Sequence, residues 1–372
     1  MPSKAEAWLE SLSPWPEEFG LGRMHELLGR LGHPERRYPA IHVVGSNGKS
    51  TTTRLIEALL AGEGLRVGAY LSPHVVRWSE RIRVGGEDAD LEAAVSAVRD
   101  AAVPGATQFE VLTAAALHAF AEAAVDVAVV EAGLGGRLDA TNVLAAPVVV
   151  LTNVSLEHTD ALGETREEIA AEKLAVVPRG GTVVAGEAEW EGAARVAGAA
   201  RVLVAHGNAA VARAAAGVFL GRPVDGGIDA VPLPGRFEVV GTDPLEIWDG
   251  AHNPAGVRNL LERLPERDFV LVASILEDKD VDEMLRLLAR AGTRLVATQS
   301  ENARALPAGE LALKARPFFA DVEEVDDPVK AVQCARGSAG SSGVLVTGSL
   351  YLLASLGAVR PPHVPWVTLA IG

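Results

Sequence analysis

One segment restricts the fold more than any other. Ile41-His42-Val43-Val44 runs into Gly45-Ser46-Asn47-Gly48-Lys49-Ser50-Thr51 and then into a helical stretch at 52–60, so a strand, a glycine loop and a helix follow one another directly. Backbone N–H groups of such a loop, with the N-terminus of the helix behind it, point at phosphate oxygens. Lys49 adds a mobile positive charge, and the hydroxyl of Ser50 or Thr51 is placed to ligate Mg²⁺. The loop is shorter than the general GxxxxGK[ST] pattern, but the flanking strand and helix favour a phosphate cradle over a chance glycine turn.

A loop of this kind hangs from a sheet, and the rest of the chain supplies one. Short β-branched runs alternate with Ala/Leu-rich helical patterns almost from end to end, which is the mark of parallel βαβ units with helices on both sheet faces. The fold class is α/β. Strands are expected at 41–44, 67–71, 127–131, 148–152, 182–185 and 201–204. The segment 224–234, with Gly226, Gly227, Pro232 and Pro234, then breaks the periodicity and reads as a linker. The pattern restarts at 245–249 and continues at 269–273, 295–298 and 344–347, so a second, smaller α/β domain is expected. The chain is long enough for two or three domains at roughly 100–200 residues each, and the reading adopted is 1–240 with the linker and 241–372.

Composition excludes several classes. With 48% apolar residues the chain is globular rather than disordered. Lys plus Arg is 34 against 49 for Asp plus Glu, a net charge of −15, which argues against a broad nucleic-acid surface and leaves anionic ligands to local positive pockets. A single cysteine, Cys334, excludes an intramolecular disulfide framework and a cysteine metal cluster, and fits packing in a reducing cytoplasm. Residues 1–10 have no apolar signal region, and the uncharged stretch 337–359 reads as loop, strand and short helix rather than a membrane span. A cytoplasmic protein is expected.

Candidate chemistry gathers at strand ends. Glu131 closes the 127–131 run, where a carboxylate commonly serves Mg²⁺ at bound phosphates, and it leads into a glycine-rich polar turn at 132–142. His158 follows the 148–152 strand, in a position that favours a ligand role over a structural one. Glu172-Lys173 reads from the residues alone as a solvated helix face. In the second domain Asp249, His252 and Asn253 precede Pro254 at a helix start, placed to meet a nucleotide across a cleft. Arg236 in the linker is either a surface arginine or a guanidinium that reaches phosphate on closure.

Taken in order, these motifs resemble the folate branch of the Mur ligase superfamily, the dihydrofolate synthases and folylpolyglutamate synthases. Residues 21–34 look like that family's helix before its P-loop strand, and Ser72-Pro73-His74 with Glu80-Arg81-Ile82 looks like its folate-side loop. Thr107-Gln108-Phe109-Glu110, the 131–142 turn, His158-Thr159-Asp160, Glu172-Lys173, Pro234-Gly235-Arg236, 249–254 and Thr347-Gly348-Ser349-Leu350-Tyr351 follow in family order. The resemblance implies a P-loop-type, mostly parallel sheet domain that binds ATP and folate, followed by a smaller Rossmann-like glutamate-ligase domain. It implies that Gly45, Ser46, Asn47, Gly48, Lys49 and Ser50 hold ATP, that Asn208, Arg236, Asp249 and His252 contact nucleotide, and that Ser72, Glu131 and His158 hold magnesium. Phe109, Glu110, Leu138, Asp139 and Ala140 would face the pterin. Lys173 matches a lysine that is carbamylated in the family and helps bind a second Mg²⁺. Departures exist. Ser46 and Ser50 stand for the usual Thr and Gly, Ser-Leu-Glu precedes His158 where Gly-Leu-Asp is usual, and the chain is short between 173 and 234.

The chemistry this implies is attack of a substrate carboxylate on the γ-phosphate of ATP, giving an acyl phosphate that the amine of L-glutamate displaces, with Lys49, His158, Lys173 and Arg236 as catalytic groups and dihydropteroate or reduced folates as acceptor. A monomer is implied. The rival readings are a Mur-type peptidoglycan ligase and a non-catalytic P-loop nucleotide-binding module.

Overall fold

The computed structural model describes residues 3–228, 231 and 234–357. It divides into two compact units, Met1–Val231 and Pro232–Gly372. Part of the expected linker, residues 229, 230, 232 and 233, lies outside the described residues, as do 358 and 359 of the uncharged stretch.

The strands in chain order are β1 Ala40–Val44, β2 Val67–Tyr70, β3 Ile82–Val84, β4 Glu87–Asp88, β5 Val127–Glu131, β6 Val148–Leu151, β7 Thr182–Ala185 and β8 Arg201–Val204 in the first unit. The second unit contains β9 Glu238–Thr242, β10 Leu245–Trp248, β11 Phe269–Ala273, β12 Arg294–Ala297, β13 Asp321–Glu324 and β14 Gly343–Thr347. Every strand expected from the sequence is present within one residue of its expected bounds. The α/β class and the mostly parallel sheets are as expected.

In the first sheet the order is β4-β3-β2-β5-β1-β6-β7-β8. From β2 to β8 every pairing is parallel, and β3 and β4 add an antiparallel edge. The strands are nearly continuous aliphatic runs because both faces are covered. On one face Ala40, Tyr70, Ala128 and Val130 pack under helices Leu91–Asp100 and Gln108–Glu122. On the other, Ile41, Val43, Val129 and Val150 pack under Lys49–Gly62 and Asn208–Leu220. Central strand β1 has β5 on one side and β6 on the other, with Val43 opposite Glu131 and Val44 opposite Leu151. The glycine loop, Glu131 and the 152–160 segment therefore leave the sheet side by side at its carboxyl edge, where open α/β sheets bind ligands.

The second sheet runs β13-β12-β11-β14-β10-β9 over its own core of Leu271, Leu285, Leu295 and Leu345. It is parallel except for β9, which turns back on β10. That hairpin explains why the units divide before residue 240: Gly250 N–H donates to Gly235 O at 2.9 Å and Gly235 N–H to the Glu238 carboxylate at 2.8 Å, which ties 235–242 to the second sheet.

Candidate active site

The glycine loop is moulded against the segment after β6. Gly45 has φ +146°, and a Cβ there would overlap the Thr152 hydroxyl. Ser46 N–H donates to Asn153 O at 2.9 Å, Asn47 N–H to Asn153 Oδ1 at 2.9 Å, and the Thr152 hydroxyl to Asn47 O at 2.7 Å. Gly48 sits in the left-handed region at φ +78°, with Asn208 Oδ1 2.5 Å from where its Cβ would stand. Asn208, the first residue of its helix, is thereby brought against the loop it was expected to serve.

Lys49 opens its helix and folds back, donating to Gly45 O at 2.9 Å and Ser46 O at 3.3 Å. The Ser50 hydroxyl donates to Glu131 Oε1 at 2.9 Å, and Ser72 N–H donates to Glu131 Oε2 at 3.1 Å. Ser50 and Ser72 thus meet the buried Glu131 at the end of β5, where the Glu131 carboxylate and the Ser50 hydroxyl are hard oxygen groups of the kind Mg²⁺ takes. Glu80 shapes the following turn, its carboxylate accepting from the N–H groups of Val75 at 2.8 Å and Arg77 at 2.9 Å.

His158 lies exposed at the start of the short helix Thr159–Leu162 with φ +46°. Among the described residues no three His, Cys, Asp or Glu side chains form a metal-holding group. Lys173 overturns the reading taken from its own neighbourhood. It is 2% exposed rather than solvated, and Nζ donates to Glu157 Oε1 at 2.9 Å and Gly45 O at 3.1 Å. Burial pushes the Lys173 ammonium below the ordinary lysine range, and Glu157 only partly restores it. Burial alone would raise the Glu157 carboxyl, but Lys173 and Lys49 beside it hold it below the usual range.

Phe109 tilts against Tyr70, ring centres 5.9 Å apart, and its ring edge stands 2.6 Å from where a Cβ on Gly133 would lie. Glu110 is committed elsewhere. It forms a capping box with Thr107 and accepts from Arg23 Nε at 3.0 and 3.1 Å, so its carboxylate is tied to structure rather than presented to a ligand. Asp139 is buried, with Oδ2 accepting from Leu134 N–H at 2.8 Å and Oδ1 from Thr141 N–H at 3.0 Å. Beside it Leu138 is exposed and Ala140 buried.

In the second unit Asp249 ends up buried after β10, accepting from Phe237 N–H at 2.7 Å and Ala251 N–H at 2.8 Å. Burial pushes its carboxyl up, against the pull of Arg236 and Arg263. Arg236 Nη1 stands 2.9 Å from where a Cβ on Gly250 would be, and His252 Nδ1 lies 3.0 Å from Gly250 O. Asn253 caps helix Pro254–Arg263 through Gly256 N–H. Arg236, Asp249 and His252 are thus gathered around one turn.

Two family models match the chain, the Mur ligase middle domain over residues 43–185 and the Mur ligase glutamate ligase domain over 235–350. The dihydrofolate synthase/folylpolyglutamate synthase of Mycobacterium tuberculosis is 33% identical, covering 90% of this chain and 89% of its own. The chain belongs to this family of Mur ligases. Escherichia coli FolC in complex with DHPP and ADP superposes with a TM-score of 0.87 at 32% identity, covering 96% of this chain and 99% of that one. A bifunctional folylpolyglutamate synthase/dihydrofolate synthase with Mn, AMPPNP and L-glutamate bound gives 0.85 at 31%, covering 95% and 96%.

Within this folylpolyglutamate synthase family frame, sequence reasoning missed three features. Glu157 is the half-buried counterion of the buried Lys173. Arg263 lies over the Phe237 ring, 4.3 Å from its centre, and adds a second positive charge beside Asp249. His42 reaches Thr141 at 2.8 Å from the middle of β1. No local pattern marks any of them, since each pairing spans elements distant in sequence. Among the described residues no helix is long and apolar enough to cross a membrane.

Proposed function

We propose that the chain is an ATP-dependent ligase that adds L-glutamate to dihydropteroate, to reduced folates, or to both, through an acyl phosphate. The observation that carries the reading is the meeting of Ser50, Glu131 and Ser72 at the mouth of the glycine loop, in a chain of this family. Loop residues Gly45 to Ser50 and Asn208 would bind ATP, with Arg236, Asp249 and His252 as further nucleotide contacts. The acceptor carboxylate attacks the γ-phosphorus and ADP leaves. The glutamate amine then attacks the acyl carbon, phosphate leaves, and an amide remains.

Lys49 neutralises charge on the transferring group, and Arg236 adds a guanidinium. Ser72, Glu131 and His158 would hold Mg²⁺, with the Ser50 hydroxyl beside Glu131 and a carbamylated Lys173 helping to bind a second ion; such ions neutralise developing phosphate charge. Phe109, Leu138 and Ala140 supply apolar surface for the pterin, Asp139 supplies a hydrogen-bond acceptor, and Glu110 acts through Arg23 on the helix that carries Phe109. Labelling with ¹³C-bicarbonate tests the modification: wild type gives a carbamate signal and Lys173→Gln gives none. We further propose a cytoplasmic monomer.

The test of the reaction is ADP release by the purified protein with Mg²⁺. Release that requires both L-glutamate and a pteroate acceptor supports the ligase. Release dependent on a UDP-sugar peptide, or nucleotide binding with no amide formed, overturns it in favour of the peptidoglycan ligase or the non-catalytic module.

A further inference from the structure

His42 is wholly buried in the central strand of the first sheet, where its neighbours across β5 and β6 are Val130 and Val149. An imidazole there costs desolvation that a valine would not. Its Nε2 lies 2.8 Å from the Thr141 hydroxyl, which in turn reaches Asp139 Oδ1 at 2.5 Å, while its Nδ1 is buried and has no partner among the described residues.

The proton arrangement follows from counting. Asp139 already accepts from the backbone N–H groups of Leu134 and Thr141, so its carboxylate serves as acceptor. The Thr141 hydroxyl has one proton and gives it to Asp139. It must then accept from His42, whose proton therefore sits on Nε2. The unpartnered Nδ1 is left as a bare acceptor, which is the milder kind of orphan, since unpaired buried N–H groups are the rarer ones. Each member of the chain fixes the next.

We propose that His42 is a positioning residue for the acceptor site: through the Thr141 hydroxyl it fixes the Asp139 carboxylate and the turn carrying Leu138 and Ala140. Asp139 Oδ2 holds Leu134 N–H and Thr141 is itself part of the turn, so the relay sets the shape of the whole 133–141 segment rather than one side chain. The inference rests on the ligase reading, because it assigns this turn to the acceptor.

The experiment compares wild type with His42→Leu, Thr141→Val, the double variant and His42→Gln, which keeps an N–H at the Nε2 position. The expected result is an acceptor KM raised about tenfold in His42→Leu and in Thr141→Val, equivalent to about 1.4 kcal/mol, with the KM for ATP and for L-glutamate unchanged. The double variant is no worse than Thr141→Val alone, because His42 acts only through that hydroxyl. His42→Gln recovers acceptor KM relative to His42→Leu. Additive effects in the double variant, an unchanged acceptor KM, or a loss shared by all three substrates would overturn the proposal. ¹⁵N chemical shifts of His42 give a readout independent of turnover: a proton on Nε2 is expected, and one on Nδ1 contradicts the relay. Absence of glutamate addition by wild type would instead defeat the ligase reading and leave the tautomer result standing.

Discussion

In the unmodified protein, before any carbamylation, Glu157 is what makes the Lys173 ammonium tolerable in the interior, so the stability comparison is made without bicarbonate. An ammonium that is 2% exposed needs a counterion, and the pair at 2.9 Å supplies one while Gly45 O takes a second proton. Removing the carboxylate strands the charge, so Glu157→Gln is expected to lower stability by roughly 2 kcal/mol, reduced from the buried-pair figure because Glu157 keeps some solvent contact. Urea midpoints measure it, and Glu157→Gln combined with Lys173→Met is expected to recover most of the loss. His42 gives a second prediction at this scale. Burial lowers its pKa from 6.5 to about 4, so the native ring stays neutral where the unfolded chain takes up a proton. The unfolded state then binds more protons, and stability is lost as pH falls from 6.5 towards 4, by roughly 3 kcal/mol across that window. His42→Leu is expected to flatten this part of the urea-midpoint profile, and an unchanged slope would show that the ring titrates normally.

At the scale of elements, the glycine loop works because it is braced from two sides, by 152–155 and by the start of helix Asn208–Leu220. Gly48→Ala is expected to cost about 1–2 kcal/mol, from a left-handed φ of +78° and a Cβ driven against Asn208. Calorimetry should find weaker ADP binding together with a lower thermal midpoint; loss of stability with undiminished ADP affinity would mean the brace does not shape the nucleotide site. Strand and loop were legible in the sequence because aliphatic runs ending in Gly-Ser-Asn-Gly-Lys leave few alternatives. The strands that escaped notice, β3, β4, β9 and β13, lie at a sheet edge or next to one, and Asp321-Val-Glu-Glu324 has the composition of a solvated turn. The burial of Lys173 was illegible from its neighbours for the same kind of reason: beside Glu172 on a helix it looks solvated, and only the fold brings Glu157 and Gly45 to it. The family pattern singled out Lys173, Asp139 and Phe109 as candidates, whereas His42 sat unread inside a strand that was itself correctly located.

At the scale of the molecule, two units with separate cores each gather their own polar groups: the glycine loop, Glu131 and Lys173 in the first, Arg236, Asp249 and Arg263 in the second. The net charge of −15 makes these local cations the means by which an acidic protein accommodates ATP, glutamate and a folate carboxylate, all of them anions. The step on which the proposed function turns is activation of an acceptor carboxylate at the glycine loop for attack by glutamate. Lys49 is the cation of the loop, and removing such a charge is expected to cost at least 10²–10³-fold in turnover while the fold persists. The most direct measurement follows product mass when protein, ATP, Mg²⁺ and L-glutamate are mixed with dihydropteroate or with tetrahydrofolate, in wild type and in Lys49→Ala. The expected result is an acceptor heavier by one glutamyl residue in wild type, with addition to both acceptors marking a bifunctional enzyme, and a folded Lys49→Ala variant that forms almost none. No glutamyl adduct with either acceptor, or near-normal formation by Lys49→Ala, would contradict it.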